Sequence, residues 1–329
     1  MRATAVTMRR MIIGVAIGAV LLSAPAAGDP PAAVARIGVL LPYALASPAE
    51  TGLREALRQQ GYVEGQNIVI DWRRIGDSVE DAQPHAAEFV HSKVDLILVF
   101  TTSAARAAIA ATTTIPIVFT AGDPVATGLV KSLARPGTNA TGVSVVSPEM
   151  TAKRLDLLHQ LLPHAQEIAF LQNPSNANVA LQFAEAQKAA HQFRMHLVTF
   201  DARTGAELDI ALQAIQRTAP DAVLVASDLG LLREKARIAA AIRKARIPAV
   251  FPWREYHESG AMMSYGPDLK DVTRRTASYV VKILRGTKPS DLPVEEISKF
   301  DLVIDLRVAH ELGIKVPQEL LFRADEVMQ

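Results

Sequence analysis

Short runs of almost wholly apolar residues alternate with longer stretches whose apolar residues recur at helical spacing, and the alternation continues from residue 36 onward. The runs at 36–41, 67–72, 94–100 and 116–119 read as strands, rich in Val, Ile and Leu. Between them, 50–60, 82–91 and 103–111 read as helices. In the first of these Leu53, Ala56 and Leu57 share a face, and Gly61 stops the helix. The run at 94–100 is apolar at nearly every position, which requires burial on both faces. Strands that alternate with helices in this way build parallel sheets covered by helices.

The pattern then begins again. Helices are expected at 150–162, 178–193, 206–217 and 232–246, and strands at 167–171, 195–200, 221–226 and 248–251. In 178–193, Val179, Phe183, Ala186 and Ala190 fall at offsets 0, 4, 7 and 11, one helical face. Two such halves imply two α/β lobes of like architecture, with no residue-level repeat between them. The segment 142–148 has no long polar linker, so short strand-like crossovers should join the lobes. Ser264-Tyr265-Gly266-Pro267 reads as a second crossover. A helix at 271–284, a polar connector at 288–296, a strand at 300–305, a short helix at 307–312 and a surface tail from 316 follow.

The first thirty residues stand apart from this pattern. Met8-Arg9-Arg10 is basic, 11–22 is a continuous run of apolar and small residues, and Ala24-Pro25-Ala26 has small residues where a signal peptidase reads. That order is a secretory signal, and the apolar run is shorter than the roughly 20 residues of a membrane helix. Cleavage is expected after Ala26, giving a signal at 1–26, with Ala33-Val34-Ala35 as a later alternative. The chain has no cysteine, so neither a lipid-anchoring cysteine nor a disulfide is available. A mature chain of roughly 300 residues buries enough apolar surface without bridges. A periplasmic product without a lipid anchor is the expectation. Charge is nearly balanced, 35 Lys+Arg against 34 Asp+Glu, with no basic block after the signal. This argues against nucleic acid as a partner.

Two further stretches narrow the reading. Thr120-Ala121-Gly122-Asp123-Pro124-Val125-Ala126-Thr127-Gly128-Leu129-Val130, followed by Ala134-Arg135-Pro136-Gly137-Thr138-Asn139-Ala140-Thr141-Gly142-Val143-Ser144, resembles the signature of ABC-transporter substrate-binding proteins of the tryptophan/tyrosine-type group. Tyr265-Gly266-Pro267-Asp268, Leu302-Val303-Ile304-Asp305 and Arg323-Ala324-Asp325-Glu326-Val327 are similar to the same group, so the resemblance covers the chain from Arg36 onward. Where the family often has Pro-Gly-Gly-Asn, this chain has Pro136-Gly137-Thr138-Asn139. The resemblance implies the periplasmic-binding-protein type I fold: two doubly wound, Rossmann-like lobes of parallel sheet joined by three short crossovers. It places the helix after Gly266 on the first lobe and returns the strand at 300–305 to the second. The expected lobes are 36–146 plus 265–287, and 147–264 plus 288–329. The resemblance also implies a small-molecule solute in the cleft, and an ABC permease and its ATPase as partners. The chain itself is expected to be a monomer without metal or cofactor.

In open α/β sheets, ligands bind beyond the carboxyl ends of the strands, which nominates particular loops. Thr101, Thr102 and Ser103 follow the strand at 94–100, where free amides at a helix start favour a carboxylate; plain capping is the alternative. Asp123, before Pro124, could accept an ammonium group or cap a helix. Asn173 and Asn176, after the strand at 167–171, offer donor and acceptor together, or make a turn. Ser227 and Asp228 end the strand at 221–226, and Asp228 is the second carboxylate candidate. Among the loop aromatics Tyr43, Trp253, Tyr256 and Tyr265, Tyr43 and Tyr256 are assigned to the cleft, where flat faces grip an apolar solute.

Catalytic motifs are missing: no G-x-S-x-G, no G-x-x-x-x-G-K-[ST], no cysteine nucleophile. A non-enzymatic binding role for an amino acid or similar solute is therefore expected. A sensing module that docks on a membrane receptor, or less readily a secreted hydrolase, is the alternative.

Overall fold

The computed structural model describes residues 34–329 apart from 44–45, 77 and 147–148. The expected signal segment lies outside the described residues.

The chain first builds β1 (Ala35–Pro42), α1 (Ala46–Gln59), β2 (Ile68–Ile75), α2 (Val79–His91), β3 (Leu96–Val99), α3 (Thr102–Ala111), β4 (Ile117–Gly122) and β5 (Ala140–Val146). It repeats the alternation with α4 (Glu149–Leu161), β6 (Glu167–Gln172), α5 (Ala177–Phe193), β7 (His196–Asp201) and α6 (Gly205–Thr218). Then come β8 (Ala222–Val225), α7 (Leu229–Arg233), α8 (Lys235–Lys244), β9 (Ala249–Phe251) and β10 (Met263–Gly266). The remainder gives α9 (Leu269–Leu284), β11 (Glu295–Glu296), β12 (Asp301–Asp305), α10 (Leu306–Leu312), α11 (Gln318–Arg323) and β13 (Glu326–Met328).

Among the described residues these strands form two sheets, in the orders β11-β5-β4-β3-β1-β2 and β13-β12-β10-β9-β8-β6-β7. The five-strand progression β2-β1-β3-β4-β5 recurs as β7-β6-β8-β9-β10, the doubly wound order. Neighbours are parallel except β10 with β12. All four residues of β3 are fully buried, as their unbroken apolar run demands. Apolar clusters cover both faces of the first sheet, and a larger one fills the second lobe. The chain is therefore a two-lobed α/β protein of the periplasmic-binding-protein type I.

The chain passes between the lobes three times, after β5 and before α4, between β10 and α9 at 266–269, and between β11 and β12 at 296–301. The second one needs its glycine. A β-carbon on Gly266 would lie 1.8 Å from the Pro252 carbonyl oxygen. Beside it, the rings of Tyr265 and Phe300 sit 6.1 Å apart. Helix α9 returns to the first lobe and packs on α1 and on β4, where Thr276 and Thr120 of β4 share a buried 2.8 Å hydroxyl hydrogen bond.

Several elements differ from the sequence reading. The single helix expected at 232–246 is two, broken at Glu234, where ψ is 14°. The Asp228 carboxylate caps α7 by accepting from Leu231 N, and so starts that helix early. The connector at 288–296, assigned above to the second lobe, carries β11 at the edge of the first sheet. Thr141 Oγ1 donates to Leu292 O at 2.7 Å and Tyr279 OH to Pro293 O at 2.6 Å, which fixes it there. The tail also adds a strand, β13, alongside β12.

Candidate functional site

A cavity of about 1190 Å³ opens between the lobes, lined by residues that follow the carboxyl ends of β3, β4 and β8. In each lobe the winding reverses between the first strand and the third, β1/β3 and β6/β8. Ligand sites form at such reversals because the flanking loops part there.

The first-lobe wall is the start of α3. Thr101 has extended backbone (φ −141°, ψ 159°), and its Oγ1 accepts from Ala104 N at 3.0 Å. This satisfies one amide of the first turn. The N–H groups of Thr102 and Ser103 have no acceptor within the helix and face the same end. Phe100 and Thr120 extend this wall.

The second-lobe wall is built around Asp228. Its Oδ2 accepts from Asn176 Nδ2 at 2.8 Å and its Oδ1 from Leu231 N at 3.0 Å. Burial pushes its carboxyl above the ordinary 3.8, against the pull of the Asn176 and Leu231 hydrogen bonds. Asn173 and the Gly230 N–H also bond to it, so a ligand donor would share the carboxylate's acceptor positions, of which there are about four. Gln182 holds Ser227 on both sides of its backbone, accepting from Ser227 N at 2.8 Å and donating to Ser227 O at 3.0 Å. Trp253, Leu229 and Leu232 supply apolar surface. At the rim Lys235 pairs with Glu258, and Arg254 with Glu326 at 2.6 Å. His257, whose Nε2 lies 2.9 Å from Ser264 Oγ, also lines the cavity, and burial holds it below the ordinary imidazole value.

The lobes also touch across this cavity. Asn178 Nδ2 donates to Thr102 Oγ1 at 2.8 Å. Gly122 makes room for that contact, since a β-carbon there would meet the Asn178 amide at 2.8 Å.

Of the residues nominated from sequence, Thr101, Thr102, Ser103, Asn176, Ser227 and Asp228 line the cavity. The other four do not. Asp123 caps the turn after β4, accepting from Ala126 N at 2.9 Å. Asn173 is buried, and its Oδ1 accepts from Ser175 N at 3.1 Å. Tyr43 follows β1 directly with 55% of its surface exposed, outside the lining. Tyr256, assigned to the cleft from sequence, is fully buried in the second lobe and stacks on Phe251 at 4.6 Å. A short 3-10 turn at Arg254–Ser259 rotates it inward and leaves Trp253 at the cavity.

Sequence reasoning missed Asn178 and Arg154. Asn178 lies one residue into α5, where the apolar periodicity of the helix gave no signal for a lobe-to-lobe contact. Arg154 sits within α4 and is 1% exposed. Its Nη2 donates to Ser227 Oγ at 2.8 Å and to Thr151 Oγ1 at 2.9 Å, and weaker bonds reach the carbonyls of Met150 and Val225.

Comparison with known proteins agrees with this geometry. A tyrosine-binding protein of Clostridioides difficile (strain R20291) is 29% identical over 271 residues, 82% of this chain and 77% of that protein. The structure of an ABC domain in complex with L-Trp from Streptococcus pneumonia superposes with a TM-score of 0.82 at 26% identity, over 89% of this chain and 99% of that one. The ligand-free, open structure of a substrate binding protein with adhesive properties from Clostridium difficile gives 0.63 at 29% identity, over 90% and 100%. Residues 44–328 match the family described as ABC transporter substrate binding protein. The chain belongs to that family, and it is a binding protein rather than an enzyme.

Proposed function

We propose that this protein is the extracytoplasmic solute-binding component of an ABC importer, closing on one amino acid with an apolar or aromatic side chain and delivering it to a permease driven by an ATPase. The observation that carries the reading is the polarity of the cavity. Hydroxyls and helix-start amides at Thr101, Thr102 and Ser103 face it from one lobe, and the Asp228 carboxylate from the other, with Phe100, Trp253 and Leu232 between.

A zwitterion leaves water only where both of its charges find partners. The α3 amides and hydroxyls suit a carboxylate, and Asp228 suits an ammonium group. The aromatic and aliphatic lining suits the side chain. Two relatives with tyrosine or tryptophan in their descriptions support the same class. Only the closed state lets both lobes touch one small ligand, so binding favours closure about the three crossovers.

A thermal-shift screen of the amino acids, beside sugars and organic acids, tests this. A ligand at 100 times its dissociation constant stabilises the fold by about 2.7 kcal/mol, which amounts to several degrees in melting temperature. A shift with aromatic or leucine-like amino acids is expected. A shift with a sugar and with no amino acid overturns the assignment.

A further inference from the structure

Arg154 is a buried cation with no carboxylate among its hydrogen-bond partners. Those partners are the hydroxyls of Thr151 and Ser227 and the carbonyls of Met150 and Val225. Burial pulls the guanidinium down to about 9, which leaves it charged at neutral pH. Taking such a group out of water is costly unless the charge is used. Its position behind Ser227, which lines the cavity, supplies a use.

The chemistry of the pair is asymmetric. A guanidinium only donates, so Ser227 Oγ must accept from Arg154 Nη2. Its own proton is then free, and among the described residues no acceptor takes it. Ser227 lines the cavity. Thr102 is in the same condition on the opposite wall, since its Oγ1 accepts from Asn178 Nδ2. We propose that Arg154 is a positioning residue that makes the Ser227 hydroxyl an obligate, cation-polarised donor, and thereby selects ligands with an anionic oxygen at this end of the cavity. On the amino-acid reading above, upon which this rests, that oxygen belongs to the ligand carboxylate. Ser227 and Asp228 are consecutive, so one turn of backbone presents a donor for the carboxylate and an acceptor for the ammonium. An α-amino acid carries both groups on one carbon, so adjacent complementary groups on the protein fit it.

The test is binding of L-tyrosine and L-tryptophan against tyramine and tryptamine, which keep the amine and ring but lack the carboxylate. The wild-type protein should prefer the amino acids. Ser227→Ala should narrow that preference about tenfold, the scale of one hydrogen bond to a charged group. Arg154→Met should narrow it by a similar factor, and the double variant no further. Arg154→Lys, which keeps a cationic donor, should restore most of the preference. Ser227→Ala leaves the buried arginine in place, so it decides the matter if Arg154→Met does not fold. An unchanged preference in Ser227→Ala, or equal weakening of amino acid and amine in Arg154→Met, overturns the proposal. A wild-type protein that binds none of the four, and no leucine-like amino acid in the thermal-shift screen, overturns the amino-acid reading itself, and this assignment with it.

Discussion

Asn178, one residue into α5, donates its side-chain Nδ2 to Thr102 Oγ1 at the start of α3, 2.8 Å away across the cleft. The bond joins the two lobes directly and is buried at both ends. As a latch between the lobes it would resist their opening. Asn178→Ala should weaken ligand affinity by about two- to tenfold, the worth of one such bond, chiefly through faster release. Gly122→Ala should act similarly by displacing the Asn178 amide, and the two changes together should not add. Stopped-flow release rates check this, and unchanged rates in both variants would contradict the latch.

Asp228 gives a pH dependence whose sign follows from burial. Its carboxyl is raised above the ordinary 3.8 in the free protein. Its contribution to stability is therefore fully present below 3.8 and is lost as pH rises through the raised value. A ligand ammonium beside it reverses the preference and favours the carboxylate. Binding should then release a proton, and affinity should fall as pH is lowered through the value of the free protein. Calorimetry from about pH 4 to about pH 8, in buffers of different ionisation heat, reads both effects. Asp228→Asn should bind more weakly and lose the slope. A slope that survives that change places the titrating group elsewhere.

Gly266 stands where the chain leaves β10 for α9. A methyl group there meets the Pro252 carbonyl at a distance no packing tolerates. Gly266→Ala should cost about 1–3 kcal/mol, the usual penalty of overpacking. The thermal midpoint should fall by several degrees. A melting curve equal to wild type would show that the crossover is looser than its geometry.

The winding of both lobes was legible in the sequence because it rests on periodicity. The buried run ending at Phe100 and the helical face of Val179, Phe183, Ala186 and Ala190 announce their elements without any knowledge of neighbours. The strand-end rule then pointed to Thr101, Thr102, Ser103, Ser227 and Asp228. That rule locates loops, but it does not orient side chains. Tyr256 follows a strand as Trp253 does, yet the turn at Arg254–Ser259 buries the tyrosine and leaves the tryptophan at the cavity. Arg154 was illegible for a related reason. Arginine on a helix usually reaches solvent, and acceptors on its own helix, Met150 and Thr151, together with Val225 of β8 and Ser227 just beyond it, keep this one inside. Asn178 depends on the distance between lobes, which no local pattern encodes.

Export makes a separate prediction. The basic, apolar and small-residue order at the amino end should direct cleavage after Ala26, or as late as Ala35. Intact mass of the protein recovered from the periplasm should show loss of about 26 to 35 residues. A full-length product retained on membranes would contradict it.

The central claim is that the cleft holds an amino acid by its two charges. Native mass spectrometry of the protein purified from the cells that make it, without added solute, tests it most directly. The account predicts a bound species released on denaturation whose mass is that of an aromatic or aliphatic amino acid, and which Asp228→Asn retains poorly. A released sugar or polyol, with no amino acid in any preparation, would contradict it.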